Sequence, residues 1–577
     1  MASVRPLNTD LVHTHKFDEP FLTPCDANFE QLTPVSFLER TATLFPQQPA
    51  YIYDALDLKI TYATMHERCR KLAHTLVKQF GVRPGDVVSV LGPNTPAVVE
   101  AHFAIPGAGA VIHTINYRLT AADIAFQLEH AEATLLLCDV EFLPLALEAL
   151  EIIDGKHRPT LVEIADASYS KDGVPGAVAA TYEELVAAGD AGFALRKPAS
   201  EHDAISLSYT SGTTGSPKGV VTHHRGAFLA SLAWQQGLEM SLRPVFLWVV
   251  PLFHCNGWCF PWTMAAQAGV SICQRHAESL LRAMAAHDVT HLAGAPVVMN
   301  MLLNAREDLK APVRARHAAR RDGGPDFMVA GAPPPPLLMR QVDAELGIRT
   351  RTAYGLTETY GPSTGFLPEH ADEAPADHQL IWQAPSLCLA ESAVVDPATM
   401  ERVPEDGETV GEVVLRGNMV MKGYLRNERA TMEAFAGGWF RTGDLAVAHP
   451  GGRFEIRDRA KDVIISGGEN IMSVEVEAAL HTHPAVNGVA CVAVPDEHWG
   501  EAVCAVVELR PAYEGSVTAA DLIAHARNLL AHYKAPRVVL FRALPRTATG
   551  KIQKHVIRRA VKEEGITGPP PRKLKQQ

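Results

Sequence analysis

From about residue 50, short apolar runs suited to buried strands alternate with longer stretches whose apolar positions recur at helical spacing. DVVSVLG (86–92) predicts a strand, and TPAVVEAHFAI (95–105) a helix behind it. ATLLLCD (133–139) predicts the next strand and FLPLALEALEII (142–153) the next helix. DAISLSYT (203–210), PVFLWVVPLF (244–253) and VTHLAGAP (289–296) continue the series as strands. Repeated strand-then-helix units predict parallel sheets covered by helices, with ligands gathered at the carboxyl ends of the strands.

After about residue 385 the texture changes. GEVVLRGNMVMKGYL (411–425) and GRFEIRDRAKDVIISGGEN (452–470) predict short antiparallel strands. Beyond them a helix starting near Ser473, strands GVACVAV and AVCAVVEL, and a helix DLIAHARNLLAHY form an α+β pattern. The expected architecture is α/β. A large N-terminal domain (1–460) holds parallel-rich sheets flanked by helices plus a β subdomain, and a small α+β C-terminal domain (461–577) follows. Pro106 predicts a kink in its helix, and the four prolines 333–336 a stiff turn.

Composition narrows the class. A chain of 577 residues, 47% hydrophobic and 20% charged, is an ordinary globular protein too long for one core. Its net charge of −12 disfavours nucleic acid as a partner. Nine scattered cysteines form no disulfide framework, and Cys255 with Cys259 lacks further ligands at metal spacing, so buried thiols are expected. With no secretory-type apolar segment at the start, no run of about 18 apolar residues and no targeting ending in PPPRKLKQQ, the expected location is cytoplasmic, off the membrane.

One stretch changes this picture. YTSGTTGSPKG (209–219) follows a predicted strand and is rich in donors. Gly212, Gly215 and Gly219 let backbone amides approach an oxyanion, Ser211, Thr213 and Thr214 add hydroxyls, and Lys218 adds one cation. A Walker A loop would place Ser or Thr after the lysine, whereas Gly219 stands there. Taken alone, the run reads equally well as a flexible connector. Downstream come PLFH (251–254), AGAP (330–333), AYGLTE (353–358), WFRTGD (439–444), RDRAKDVIISGGEN (457–470) and PRTATGKIQK (545–554).

In this order, over roughly residues 35–560, these motifs resemble the adenylate-forming (AMP-binding) superfamily of acyl-CoA synthetases, firefly luciferases and peptide-synthetase adenylation domains. The resemblance implies an enzyme that uses ATP, Mg2+ and coenzyme A. A carboxylate would attack the α-phosphate of ATP to give an acyl-adenylate and pyrophosphate, and the acyl group would then pass to coenzyme A with release of AMP. Bringing an anion up to a polyanion needs donors and cations that neutralise charge in the transition state.

Residue roles follow from the same resemblance. The loop from Thr210 to Lys218 would hold the β- and γ-phosphates, Thr357 the α-phosphate and Glu358 the magnesium ion. Asp444 and Arg459 would take the ribose, with Tyr354 and Gly355, Gly331, Ala332 and Pro333 against adenine. Lys551 would bridge the substrate carboxylate and the α-phosphate, which requires the C-terminal domain to be mobile about a hinge at Lys461. Gly467 would face the thiol tunnel and His254 would gate it. Acetylation of Lys551 by a lysine acetyltransferase would block adenylation alone, and a homodimer is compatible with the family.

The acyl pocket is expected from 253–270, 294–300 and AYGLTE, with Trp258, Gly294 and Ala295 in its wall. FHCN (253–256) lacks the aspartate that amino-acid-activating relatives use. Gly355 stands where acetate-specialised relatives carry tryptophan, which leaves room for a longer or aromatic tail. HCNGWCFPW resembles the branch acting on short- and medium-chain, aromatic and methylthiopropanoate-type acids. The alternatives are transfer to another acceptor, a P-loop kinase or ATPase, and a silent nucleotide-binding protein. The kinase lacks its GK[ST], and the silent protein would have lost Glu358, Asp444 or Lys551.

Overall fold

All of Ala133–Asp139 except Thr134 is buried, as an uninterrupted apolar run requires when helices cover both sheet faces. In the computed structural model this segment is a strand between two parallel neighbours, Val87–Leu91 and Thr160–Ile164. The structure describes residues 24–569 except 156–157, 170–177, 211–216, 277–278, 321–322, 366–376, 386–388, 390 and 547–551.

Among the described residues two large sheets dominate. The first runs Gly423–Tyr424, Lys218–His223, Ala204–Thr210, Val111–Ile115, Val87–Leu91, Ala133–Asp139, Thr160–Ile164, Ala180–Thr181. Only the pairings among its first three strands are antiparallel. The second sheet has a parallel centre built from Pro49–Tyr53, Val270–Ile272, Val245–Leu247, His291–Gly294, Asp326–Val329 and Arg349–Leu356. Antiparallel strands close both of its ends. Helices Tyr62–Lys78, Pro96–Gly107, His224–Gly237 and Phe260–Ala266 join the two sheets in one apolar core. Each fully buried Leu, Val or Phe there contributes about 1.5–3 kcal/mol. Glu100, fully buried in that core, is satisfied by Arg68 Nε (2.7 Å), Tyr51 Oη (2.7 Å) and Tyr182 Oη (2.8 Å), donors from three separate elements.

Strands Glu391–Val395, Val410–Arg416, Phe440–His449 and Arg453–Arg459 form the antiparallel β subdomain. Beyond it, Ile464–Ser466, Glu469–Ile471, Gly500–Leu509, Val486–Asp496 and Val538–Phe541 make a separate sheet. Helices Ser473–His481 and Ala519–Leu529 cover one of its faces and Lys554–Glu563 the other, so this sheet carries cores of its own.

Three local expectations need correction. The strand expected over 244–253 forms ladder pairs only at Val245–Leu247, because the chain then turns away to reach Pro251, which has no amide hydrogen to offer. GNMVMKGYL does not stay in the β subdomain, since Gly423–Tyr424 crosses to the edge of the first sheet and pairs with Val220 and Val221. Pro106 lies in the last turn of its helix, which runs unbroken to Gly107. Among the described residues no helix is long and apolar enough to cross a membrane, and no group of three or more His, Cys, Asp or Glu could hold a metal ion.

Candidate active site

The glycine-rich run joins two antiparallel strands. Thr210 pairs with Lys218 and Tyr209 with Gly219, so this is a strand–loop–strand unit, unlike the strand–loop–helix of a P-loop. A side chain at Gly219 would meet Leu207 Cδ1 at 3.0 Å and the Tyr209 ring at 3.2 Å, so a larger residue there would have to push these two side chains aside. Ser211, Gly212, Thr213, Thr214 and Gly215 lie outside the described residues. Lys218 Nζ sits 4.7 Å from the centre of the Tyr424 ring, within cation–π range. Tyr424 Oη donates to Glu358 Oε1 at 2.8 Å. Glu358 stands on a short 3-10 turn, Thr357–Thr359, with 9% of its surface exposed. Burial raises its carboxyl pKa, against the Tyr424 hydroxyl and the charges of Arg459 and Lys218, which favour the anion.

A second constellation forms where the β subdomain meets the second sheet. Asp444 and Arg459 are opposite one another in the ladder, and Arg459 Nε lies 3.0 Å from Asp444 Oδ1. Tyr354 Oη donates to Asp444 Oδ2 at 2.8 Å. A carboxylate offers about four lone-pair sites, so Asp444 keeps capacity to accept a vicinal diol. The Tyr354 ring meets Phe454 edge-on (6.0 Å, 87°), and burial raises its hydroxyl pKa well above the ordinary value. Gly331 (φ +90°), Ala332 and Pro333 are exposed just past strand Asp326–Val329. Two residues after Arg459, partial desolvation with Arg459 and Arg558 lowers the Lys461 ammonium to about 8.

The third part is an apolar wall with an unusual backbone. Cys255, Asn256, Gly257, Trp258 and Cys259 all have positive φ, from 40° to 63°, making a left-handed turn in which one residue of five is glycine. Left-handed backbone costs roughly 1–2 kcal/mol at each non-glycine residue, so the surroundings must hold it. A side chain at Gly257 would come within 2.9 Å of Trp248. Cys255 Sγ reaches Thr357 Oγ1 at 3.4 Å, and the His254 and Trp258 rings lie 6.4 Å apart. Trp258 packs on Gly361 so closely that an added Cβ there would meet its ring at 3.1 Å.

Gly294 ends strand His291–Gly294, and Ala295 caps the start of helix Pro296–Leu303. Gly355 is used differently from the expectation. A side chain there would meet Gly361 O at 2.2 Å and Pro362 Cα at 2.6 Å, so its bare Cα serves the close approach of strand Gly361–Gly365 and not an open pocket. Gly467 (φ +62°) lies under Trp499, whose ring a Cβ would meet at 2.6 Å. Lys551 lies outside the described residues.

The sequence profile of the AMP-binding enzyme family matches residues 38–425, and that of the AMP-binding enzyme C-terminal domain matches 475–551. The chain belongs to the AMP-binding enzymes. It is 43% identical over 559 residues to the peroxisomal acetate/butyrate–CoA ligase of Arabidopsis thaliana, covering 93% of this chain and 96% of that one. It is 45% identical over 558 residues to an acetate–CoA ligase of Humulus lupulus, again covering 93% and 96%. Among solved structures, ATP-bound MatB from Rhodopseudomonas palustris aligns with a TM-score of 0.77 at 25% identity, over 92% of this chain and 100% of that one.

Two participants in this AMP-binding enzyme escaped the sequence reading. Tyr424 touches both Lys218 and Glu358, yet it lies on a two-residue strand, too short to show a period. Asn256 is fully buried within an apolar run, and the Asn-Gly pair was the available signal for left-handed backbone.

Proposed function

We propose that the chain is an AMP-forming acyl-CoA synthetase for a short- to medium-chain carboxylic acid. The carboxylate oxygen attacks the α-phosphorus of ATP and the bond to the β-phosphate bridge breaks, releasing pyrophosphate. The thiol of coenzyme A then attacks the acyl carbon, the carbon–oxygen bond to AMP breaks, and the thiol proton passes to solvent. The observation that carries this reading is that Lys218–Tyr424–Glu358 and Tyr354–Asp444–Arg459 pack on one apolar cluster through Tyr424 and Tyr354, with the Arg459 charge acting on Glu358, which suits a polyphosphate grip beside a diol acceptor.

In this reading Thr210, Lys218 and the loop 211–216 hold the outer phosphates, and Thr357 positions the α-phosphate. Asp444 and Arg459 bind the ribose, while Tyr354 and residues 331–333 flank the adenine. His254, Trp258, Gly294 and Ala295 line the acyl side. Glu358 gives one hard oxygen donor, which suits an ion that takes its remaining ligands from phosphates and water. Bound there, Mg2+ would supply charge neutralisation on the phosphates. Residues 461–577 are read as a domain that turns about Lys461, bringing Lys551 to the carboxylate in the first step and Gly467 to the thiol path in the second. Lys551 would be the target of a lysine acetyltransferase, and a homodimer fits this reading. The cytoplasmic placement stays part of the proposal, since the Arabidopsis relative is named as peroxisomal.

The relatives' names put acetate and butyrate first among acids to try. With ATP, Mg2+ and acids of two to ten carbons, pyrophosphate release is expected, with AMP accumulating only when coenzyme A is added. ADP as the product would refute the reading.

Glu358 sets an acid limit. Because burial raises its carboxyl pKa, kcat/KM for ATP should fall at a higher pH than an ordinary glutamate would give. Tyr424→Phe removes a hydrogen bond that favours the anion, so the acid limb should move higher still. A pH–rate profile checks this, and a limb that stays in place or moves down contradicts it.

A further inference from the structure

We propose that Asn256 is a positioning residue that sets the depth of the acyl pocket and seats the Thr357 hydroxyl. The inference rests on the reading above, in which His254 and Trp258 line the acyl side and Thr357 positions the α-phosphate. Asn256 is fully buried at the second position of the left-handed turn 255–259. Asparagine tolerates that backbone better than most residues, because its short amide can bond locally.

Its amide is used at both ends. Oδ1 accepts from the Ser206 hydroxyl and from Ser208 Oγ at 3.2 Å, and Nδ2 donates to Thr114 Oγ1 at 3.2 Å. Thr114 in turn donates to Phe253 O at 3.1 Å, closing the circuit two residues before the turn. Ser206 and Ser208 belong to Ala204–Thr210, the strand that runs into the glycine-rich loop, and Thr114 to its parallel neighbour. One side chain thus ties the acyl wall to the strand carrying the phosphate loop.

The turn presents three groups to the opposite segment. Cys255 Sγ meets Thr357 Oγ1 (3.4 Å), Trp258 covers Gly361, and Cys259 Sγ meets Tyr360 O (3.8 Å). A shift of the turn therefore moves the pocket wall and the α-phosphate hydroxyl together. A residue that merely supported the fold would slow every acid alike, whereas a positioning residue changes the ranking of acids.

The test compares Asn256→Ala and Asn256→Asp with the parent enzyme on acids of two and six carbons. Aspartate keeps size and left-handed tolerance, but it faces Thr114 with a lone pair where the amide had a proton. Both variants should raise the six-carbon to two-carbon ratio of kcat/KM by about tenfold, the scale on which pockets discriminate methylenes. KM for ATP should stay within about twofold, since the ribose and outer-phosphate contacts lie elsewhere, while kcat falls for every acid as the Thr357 hydroxyl shifts. Ser208→Ala removes one partner only and should move the ratio the same way, by about threefold. An unchanged ratio in folded Asn256 variants, or in Ser208→Ala if those variants do not fold, overturns the inference. Trp258→Ala separates the two ideas. If it leaves the acid ranking unchanged, the pocket reading itself fails; if it alters the ranking while Asn256 and Ser208 variants do not, only the positioning role fails.

Discussion

Lys551→Gln should lower pyrophosphate release from acid and ATP by about 10²–10³-fold, the scale of losing one charge-stabilising donor. Thioester formation from a supplied acyl-adenylate should stay within about twofold, since the proposed role of the lysine is confined to the first half-reaction. Glutamine removes the charge and keeps a polar side chain one atom shorter. The segment carrying Lys551 is framed by a bridge between Arg546 and Ile552, and Arg546 lies 3.5 Å from Glu508 on the central strand of the C-terminal sheet. Separate assays of the two half-reactions check the prediction. Equal losses in both would remove Lys551 from its assigned step.

Asp444→Ala should act on both binding and stability. In the proposed ribose site two hydrogen bonds to a charged acceptor disappear, each worth about 1.5–3 kcal/mol, so KM for ATP should rise by roughly 10²–10⁴-fold. The same change leaves the Tyr354 hydroxyl and the Arg459 guanidinium without their partner. An unfolding free energy lower by about 1–3 kcal/mol is expected, seen as a reduced denaturant midpoint at unchanged slope. Asp444→Asn retains an acceptor for Tyr354 and should recover most of the stability but little of the affinity. A variant with parental ATP affinity would exclude Asp444 from the ribose site.

The parallel strands were legible because burial on both faces leaves apolar runs such as ATLLLCD, bounded almost to the residue. The antiparallel strand Arg453–Arg459 was also foreshadowed by its turn signals, whereas its partner Phe440–His449, which places Asp444 opposite Arg459, was not. Long-range partnerships were not legible either. Nothing local says that Gly423–Tyr424 leaves its subdomain to pair at the edge of the first sheet, or that Tyr424 then reaches Glu358. The direction of Gly355 was misjudged for a related reason. A missing side chain reads as space, and only the fold shows that the backbone of Gly361 and Pro362 fills it. The left-handed turn was equally hidden, because its stability comes from three hydroxyls far away in sequence.

Asp458, next to Arg459 in the chain, accepts from both the amide and the hydroxyl of Ser473 (2.5 and 2.6 Å), and Lys554 Nζ in turn meets Ser473 Oγ at 2.5 Å and Glu477 at 2.7 Å. The aspartate precedes Lys461 in the chain and its three companions follow it. A rotation at the proposed hinge would separate Asp458 from Ser473, so the resting orientation would behave as a latched door whose opening draws on the enthalpy of two hydrogen bonds. Cooling would then penalise the swing more steeply than the bond-making chemistry on either side of it.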